Sequence, residues 1–445
     1  MSGTGLVMVT ISAVILLLFL VMKLKLQAFI SLMITSMFVG IATGMPLGDI
    51  ITSIQSGMGG TLGFVATVVG LGAIFGQILE ASGGAESLAK TLVDKFGKEK
   101  SSWALMLTGF IVSIPVFFDV GFIILVPLVY TLSKDTKKSV LYYGIPLLAG
   151  LAVTHTFIPP TPGPVAVANI IGAELGWVIL FGAIVGLPTA ILAGPMFGSY
   201  IAKKIDLAPP EFMMAEQVEN KNGIPNFGLV VSIILVPLVL ILINTFTNVY
   251  LEEGPVREFF GFIGHPFFAL TLATLLASFF LGIKRGFTKD EILELSTKAL
   301  APAGLIILVT GAGGVFRQVL MDSGVGNFLA ESIANSALPP IVLAYIIAVV
   351  VRVTQGSATV SMITAAGIIA PIMEVFTFSE PQKALMVISI ASGATILSHV
   401  NDSGFWLVGR YFGMNEEQTL KSWTVMETII SVAGFAFALG LSFIF

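Results

Sequence analysis

The feature that most constrains this chain is the recurrence, from one end to the other, of apolar runs long enough to cross a lipid bilayer. A membrane-spanning helix needs about 20 mostly apolar residues. The first run, Leu6 to Met22, is followed by others that only short polar connections separate. Charged residues make up 11% of the chain, against about a quarter in an ordinary soluble domain. The sequence therefore predicts an all-α integral membrane protein with no separate soluble domain.

The positions of the lysines and arginines predict a topology. About ten spans, together with two segments that do not behave as spans, place nearly all basic residues on one face. The positive-inside rule assigns that face to the cytoplasm and both termini to the outside. This placement of the basic residues holds only if two segments enter and leave the membrane on the same side. Segment 101–132 is then a re-entrant hairpin from the cytoplasmic side, and segment 337–372 is one from the outside. Non-helical backbone at membrane depth needs surrounding protein or water, so both tips are expected to face a cavity.

The chain also contains an internal repeat. Residues 73–89 match residues 314–330 at 7 of 17 positions, with a constant offset of 241. We therefore predict two repeats, 1–220 and 225–445, each with five spans and one hairpin. Because five is odd, the second repeat is inverted relative to the first. Inverted repeats with interrupted helices are typical of secondary transporters, whose substrate site lies near the membrane midplane.

The fourth span of each half is interrupted by polar residues and turn formers. The first interruption reads THTFIPPTPGP and contains His155, whereas the second reads SHVNDSGF and contains His399. Prolines end helices because they lack the backbone donor, and Asn-Asp-Ser-Gly favours a turn. A broken helix leaves amide groups free, and the partial positive charge at a helix N-terminus suits a carboxylate.

Two charged residues lie near the predicted hairpin tips. Asp119 is the only acid of the first hairpin, and intramembrane carboxylates usually mark ion pathways or proton relays. It is therefore the leading candidate for a coupling acid, the alternative being a structural partner for a cation. Arg352, in the second hairpin, has a planar guanidinium group that can bind a carboxylate through two hydrogen bonds. The alternative is a buried counter-ion for Asp119 or Asp402.

The remaining candidates are hydroxyls, amides and imidazoles at the two breaks and the second tip. Histidines titrate near neutral pH, so those at the breaks are either proton carriers or neutral hydrogen-bond partners. Arg317 and Glu427 are given structural roles, because each is placed close to an end of its span. The predicted substrate-binding residues are Thr154, Thr156, Arg352, Thr354, Gln355, Gly356, Ser357, Thr359, Asn401, Asp402 and Ser403. The predicted proton-coupling residues are Asp119, His155 and His399.

Several functions are excluded or less favoured. The chain has no cysteine, which excludes disulfides, thiol catalysis and Cys-ligated metals, and we predict no metal, cofactor or nucleic-acid partner. Ser398, His399 and Asp402 raise the alternative of an intramembrane hydrolase, but they lie on one short break without an oxyanion-stabilising element. An anion channel is the other alternative, although inverted repeats with opposed hairpins favour a carrier.

Three long motifs, HTFIPPTPGPVAVANIIGAELG, QGSATVSMITAAGIIAP and SHVNDSGFWLV, resemble those of the gluconate permease family of bacterial proton symporters, within the ion transporter superfamily. The resemblance runs over essentially the whole chain and includes GMGGTLG and KSWTVMETIIS. It implies an inner-membrane protein that takes up gluconate or a related sugar acid with protons.

Similarity to the superfamily further implies a homodimer in which a domain of hairpins and broken helices moves against a scaffold, as in an elevator. The family pattern often reads PPHPGP where this chain has Thr161. The family includes carriers of shorter hydroxy acids, other sugar acids and D-serine, and sodium is the alternative coupling ion.

Overall fold

A computed structural model describes residues 3–210, 223–325 and 338–445, and all regular secondary structure in these ranges is helical. The predicted junction of the repeats at residue 220 and the first residue of the predicted second hairpin, Ala337, lie outside the described residues. In the first range the helices are α1 (Gly3–Met22), α2 (Ala28–Ala42), α3 (Leu47–Ala81), α4 (Gly84–Phe96), α5 (Ser101–Val112), α6 (Phe118–Thr136), α7 (Val140–Phe157), α8 (Pro162–Ile171), α9 (Leu175–Ile191) and α10 (Phe197–Ile201).

The helices of the other two ranges are α11 (Phe227–Tyr250), α12 (Pro255–Ile263), α13 (Pro266–Leu276), α14 (Lys289–Asp322), α15 (Pro340–Gln355), α16 (Ala358–Val375), α17 (Glu380–Gly393), α18 (Ser403–Phe412), α19 (Glu416–Thr419) and α20 (Val425–Ser442). A π-helical segment, Leu420–Thr424, joins α19 to α20. Several elements recur at nearly the spacing of the sequence repeat. Helix α14 starts 242 residues after α3 (from 47 to 289), and α17 starts 240 residues after α7 (from 140 to 380).

Seven helical segments of the described ranges are long and apolar enough to cross a membrane. They are Leu47–Ala81, Val140–Ile171, Leu175–Ile201, Phe227–Tyr250, Pro266–Arg285, Lys289–Asp322 and Glu416–Ser442. The predicted all-α, multi-pass membrane architecture is therefore confirmed. The number of ten spans stays a prediction, since α2, α5 and α15 are apolar but shorter than these seven segments.

The two longest helices, α3 and α14, cross with their backbones in close contact. Small residues permit this approach: a Cβ atom on Gly57 would lie 2.7 Å from the carbonyl oxygen of Gly314, and one on Gly314 would lie 2.0 Å from the Thr61 hydroxyl. Near the ends of the same helices, the Ser53 hydroxyl donates a hydrogen bond to Asp322 (2.5 Å). Helices α3 and α14 therefore form a closely packed pair.

Each segment predicted to be a hairpin consists of two helices. Helices α5 and α6 are joined by residues 113–117, and α15 and α16 by Gly356 and Ser357. We call these connections the first tip and the second tip. Gly356 has a φ of +85°, and a Cβ atom there would lie 2.2 Å from the carbonyl oxygen of Asn401, so only glycine fits. The second tip therefore lies directly on the second interrupted helix.

The two predicted interruptions are also present. Helix α7 ends at Phe157 and α8 begins at Pro162, whereas α17 ends at Gly393 and α18 begins at Ser403. We call residues 158–161 the first break and residues 394–402 the second break. His155 thus lies in the last turn of α7, just before the first break, and His399 lies within the second break.

Candidate functional site

A cavity of about 400 Å³ lies where the hairpins and broken helices meet. Its wall is formed by the start of α6, the end of α7, one face of α14, the second tip with α16, the second break and the start of α20. Small-molecule sites commonly have volumes of about 300–1,000 Å³. The predicted site residues that line it are Asp119, His155, Thr156, Arg352, Ser357, Thr359, Asp402 and Ser403. The predicted residues Thr154, Thr354, Gln355, Gly356, His399 and Asn401 are not among its lining residues.

Three helices begin at this cavity: α6 at Phe118, α16 at Ala358 and α18 at Ser403. The first amides of a helix have no intrahelical acceptor, and they carry partial positive charge. Asp402 already accepts from the Gly404 amide (3.1 Å), but Phe117, the residue before α6, provides no side-chain cap. The convergence of helix N-termini makes the cavity favourable to an anion.

The second break carries a buried charged network. The Arg352 Nη2 donates to Asp402 Oδ2 (2.6 Å), and the Ser398 hydroxyl donates to the same oxygen (2.5 Å). The indole Nε1 of Trp423 in turn donates to the Ser398 hydroxyl (2.7 Å). The Arg352 side chain is only 1% exposed, and the 2.6 Å contact makes Asp402, rather than Asp119, its counter-ion.

Arg352 also has hydrogen-bond donors that no described residue uses. Its Nε and Nη1 atoms are buried and have no hydrogen-bond partner among the described residues. Buried donors without a partner are costly, and each is worth more to a ligand that satisfies it than an exposed donor would be. Arg352 is therefore able to hold Asp402 with one nitrogen and an incoming carboxylate with the others.

The first break and the last turn of α7 before it carry neutral polar side chains, and hydrogen bonds to nearby carbonyls hold two of them. The Thr156 hydroxyl donates to the Ala152 carbonyl (2.8 Å), and the Thr161 hydroxyl donates to the Ile158 carbonyl (2.6 Å). The Thr154 hydroxyl and the His155 Nδ1 are buried without a partner among the described residues. The first break therefore offers neutral polar groups to the site and no charge.

Asp119 lies in the first turn of α6, with its side chain exposed to the cavity. The start of α6 opens onto the cavity, which makes the carboxylate accessible from there. Asp119 is thus placed to exchange with water in the cavity.

Two predicted residues of the second break, Asn401 and His399, hold it to the end of α15. The Asn401 amide donates to the Val353 carbonyl (3.1 Å), and the His399 Nε2 lies 3.3 Å from the same oxygen. The Thr354 hydroxyl donates to the Val351 carbonyl of its own helix (2.8 Å). Both side-chain polar atoms of Gln355 are buried without a partner in the described ranges. A substrate-binding role for these residues stays a prediction.

Sequence reasoning missed one charged group of the cavity wall. Glu427 is only 3% exposed and lines the cavity, and its Oε1 has no hydrogen-bond partner among the described residues. Its assumed place near a span end was wrong, because the last helical segment already begins at Glu416 and runs on through the π-helical segment. Glu427 lies about three turns inside that segment. The useful signal was its isolation as the only acid of residues 420–445.

Comparison with solved structures identifies the class of protein that this fold defines. The chain is similar to the Alcanivorax borkumensis YdaH transporter, with a TM-score of 0.64, 13% identity, and coverage of 89% of this chain and 90% of that one. It is equally similar to Neisseria gonorrhoeae MtrF, from a class of antimetabolite efflux pumps (TM-score 0.64, 13% identity, 88% and 83% covered). The chain therefore shares its multi-pass helical fold with these two proteins.

Sequence comparison then gives the family. The model of the GntP family permeases matches residues 4–444, and the chain belongs to that family. It is 43% identical to a gluconate permease of Pseudomonas aeruginosa, over 96% of this chain and 95% of the relative. It is 42% identical to the low-affinity gluconate transporter of Escherichia coli (98% and 97% covered) and 40% identical to that bacterium's Gnt-II system L-idonate transporter (95% and 96% covered).

Family membership confirms the resemblance drawn from the motifs and shows a transporter rather than an enzyme. The hydrolase alternative is therefore wrong. The geometry agrees, since the Ser398 hydroxyl donates to Asp402 while the His399 ring faces the Val353 carbonyl.

Proposed function

We propose that this permease takes up gluconate or a closely related sugar acid, coupled to protons, across the bacterial inner membrane. The observation that carries the proposal is Arg352, whose two unpartnered, buried donor atoms lie at the wall of a 400 Å³ cavity where three helices begin. A group of that kind is suited to a carboxylate. The permeases named for gluconate and L-idonate, at 40–43% identity, support the same substrate class.

In this proposal Arg352 binds the substrate carboxylate, with help from the amides and hydroxyls of Ser357 and Thr359. The sugar hydroxyls bind Thr156 and Ser403 in the cavity, and Thr154 and Asn401 behind it. Because the Arg352 side chain is 1% exposed, its free donors are reached only when the second tip shifts relative to the second break. Binding and movement of the tip are therefore parts of one step.

Coupling follows from charge. Uptake of a monoanion against an interior-negative potential costs about 2.3 kcal/mol per 100 mV, so at least one cation has to accompany it. Asp119 opens onto the cavity and His155 lies in the same wall, which supports protons as that cation. His399 contacts the backbone of the second tip and would tune the coupling from there.

The proposed architecture is an inverted repeat of about ten spans with two re-entrant hairpins and two broken helices. The hairpins and broken helices would form the moving domain. The close α3–α14 pair would belong to a scaffold, with both termini outside and two copies forming a homodimer. The recurrence of α3 and α7 as α14 and α17, at offsets of 242 and 240 residues, supports the repeat.

Transport by purified protein in lipid vesicles tests the function. With an acidic exterior and sodium-free buffer, labelled gluconate is expected to accumulate inside the vesicles, and a protonophore should abolish the accumulation. Preloaded unlabelled gluconate should accelerate entry of the label, as in a carrier but not in a channel. Competition with L-idonate and D-serine would rank the substrates. No accumulation under the pH gradient would reject proton-coupled uptake.

Asp119→Asn tests the proposed coupling acid. The variant mimics a permanently protonated carboxyl, so it should still exchange internal for external gluconate while failing to accumulate it. His155→Gln and His399→Gln should shift the pH dependence of uptake without abolishing accumulation. Normal accumulation by Asp119→Asn, combined with loss of accumulation in a histidine variant, would move the coupling site to the breaks.

A further inference from the structure

Glu427 lies on a face of the last helical segment that is fixed to the second break. One turn before it, the Trp423 indole donates to the Ser398 hydroxyl, and the Thr424 hydroxyl donates to the Ser398 carbonyl. Residues three and four positions apart share a helix face, so Glu427 points to the same side. Its side chain lines the cavity at 3% exposure, and Oε1 has no partner among the described residues.

The charges around Glu427 belong to the network already described. Arg352, Asp402, Asp119 and His155 line the same cavity as Glu427. One turn after Glu427, on the same face of α20, Ser431 forms a hydrogen bond with the Tyr345 hydroxyl (3.0 Å).

Arg352 is the cation that faces this group of acids. One arginine cannot neutralise both Asp402 and Glu427, and a buried charge without a counter-charge is costly. Glu427 can therefore stay ionised only while Asp402 does not fully neutralise the positive charge of Arg352.

We propose that Glu427 binds the co-transported proton, because the substrate carboxylate and the Glu427 carboxylate compete for Arg352. This inference rests on the proposed function. When the substrate takes the free donors of Arg352, Glu427 loses its counter-charge and binds a proton. The empty cluster contains one cation and two carboxylates. The loaded cluster contains in addition the substrate carboxylate and one proton, so the two clusters carry the same net charge.

The two acids of the cavity thereby have different roles. Asp119 is exposed and passes the proton between the cavity water and Glu427, so its loss blocks accumulation in vesicles but not proton uptake at equilibrium in detergent. Glu427 is buried and holds the proton only while the substrate occupies Arg352. Because linkage is reciprocal, protons strengthen gluconate binding by the same factor by which gluconate strengthens proton binding.

Proton uptake on binding tests the role of Glu427. Gluconate is added to the purified protein in weakly buffered detergent solution that contains a pH indicator, and its Kd is measured across the pH range. The wild-type protein is expected to take up about one proton per bound gluconate, with a Kd that falls about tenfold for each unit decrease in pH where uptake is complete. Glu427→Gln should bind gluconate with no proton uptake and with a Kd independent of pH.

A matched control is Glu80→Gln. Glu80 is a half-buried acid on α3 that accepts a hydrogen bond from Gln77 (3.0 Å) and lies outside the cavity lining. This variant should keep the wild-type proton uptake. Proton uptake that persists in Glu427→Gln, or that is lost in Asp119→Asn instead, would overturn the inference.

Glu427→Asp keeps the test decisive if the glutamine variant does not fold. The shorter acid should retain proton uptake with a shifted midpoint pH, and an unshifted midpoint would overturn the inference. The proposed function fails separately, when wild-type vesicles do not accumulate gluconate under a pH gradient. Wild-type accumulation with unaltered proton uptake by Glu427→Gln rejects only the role of Glu427.

Discussion

The two breaks occupy corresponding places in the two halves of the chain, yet they are held by different chemistry. The first break is formed around the prolines at 159 and 160, and its hydroxyls bond to neighbouring carbonyls. The second break is held by a chain of side-chain hydrogen bonds that joins Arg352, Asp402, Ser398 and Trp423. Only the second break therefore depends on charge, and only there can a proton or an anion change how the backbone is held.

The largest effect is expected from Asp402→Ala. Removing one partner of a buried ion pair leaves an uncompensated charge and typically costs about 3–5 kcal/mol. At the first break, Thr161→Ala removes one neutral hydrogen bond, which is worth about 0.5–1.5 kcal/mol. The thermal unfolding midpoints of the two variants in detergent should differ clearly. Equal midpoints would show that charge does not hold the second break.

Arg352→Lys separates the binding role of this residue from its charge. Lysine keeps the positive charge but cannot contact Asp402 and a second carboxylate with one planar group, so gluconate affinity should fall by about 1–3 kcal/mol. Calorimetric titration of the purified variant measures this loss. Unchanged affinity would restrict Arg352 to its ion pair with Asp402.

Gly356→Ala tests the contact between the second tip and the second break. The left-handed backbone alone costs an L-residue about 1–2 kcal/mol, and at Gly356 the new Cβ would also lie 2.2 Å from the Asn401 carbonyl. Gly172 is a matched control, since its φ is +72° and a Cβ there meets nothing within 4 Å. Gly356→Ala should therefore lower the thermal unfolding midpoint more than Gly172→Ala does. Equal shifts would show that the contact between Gly356 and the Asn401 carbonyl does not affect stability.

The smallest effect concerns Glu174, the residue before α9, whose backbone amide donates to Glu380 at the start of α17 (3.1 Å). Burial, followed by the charge of Glu380, raises the pKa of the Glu174 carboxyl, against opposing contributions from Lys383 and Arg257. The folded state thus holds this proton more tightly than the unfolded chain does. The free energy of unfolding should fall as pH rises from about 4.5 through the raised pKa.

Glu174→Gln should remove that part of the pH dependence, and thermal unfolding across the pH range measures it. The exposed Glu99→Gln serves as the control and should leave the dependence as in the wild type. An identical pH profile in the Glu174 variant would show that its carboxyl does not contribute.

Sequence reasoning located the helix pairs and the breaks because their signals are local. Clustered prolines end a helix because they lack the backbone donor, so THTFIPPTPGP marked the first break without knowledge of its neighbours. What each side chain contacts is not local. His399 and Asn401 converge on one carbonyl of another helix, and no spacing in the sequence encodes that contact.

The position of Glu427 within its helical segment could not be predicted from local signals either. Whether an acid lies at the end of a span or inside it depends on where the helix begins, and a π-helical segment let this helix continue where the polar residues around Lys421 suggested its end. Exposure of Asp119 likewise depended on a cavity that the other half of the chain helps to form. Depth and solvent access are properties of the assembled fold.

The contribution of α14 to the cavity has a mechanical consequence. One face of this helix packs on α3 through Gly314, and another face presents Pro302, Leu305, Ile306 and Val309 to the cavity. This aliphatic wall offers no side-chain hydrogen bond to anything that passes it. A displacement of the second tip and its bound cargo along the wall therefore breaks no polar contact with it, and friction on that side comes from dispersion forces alone.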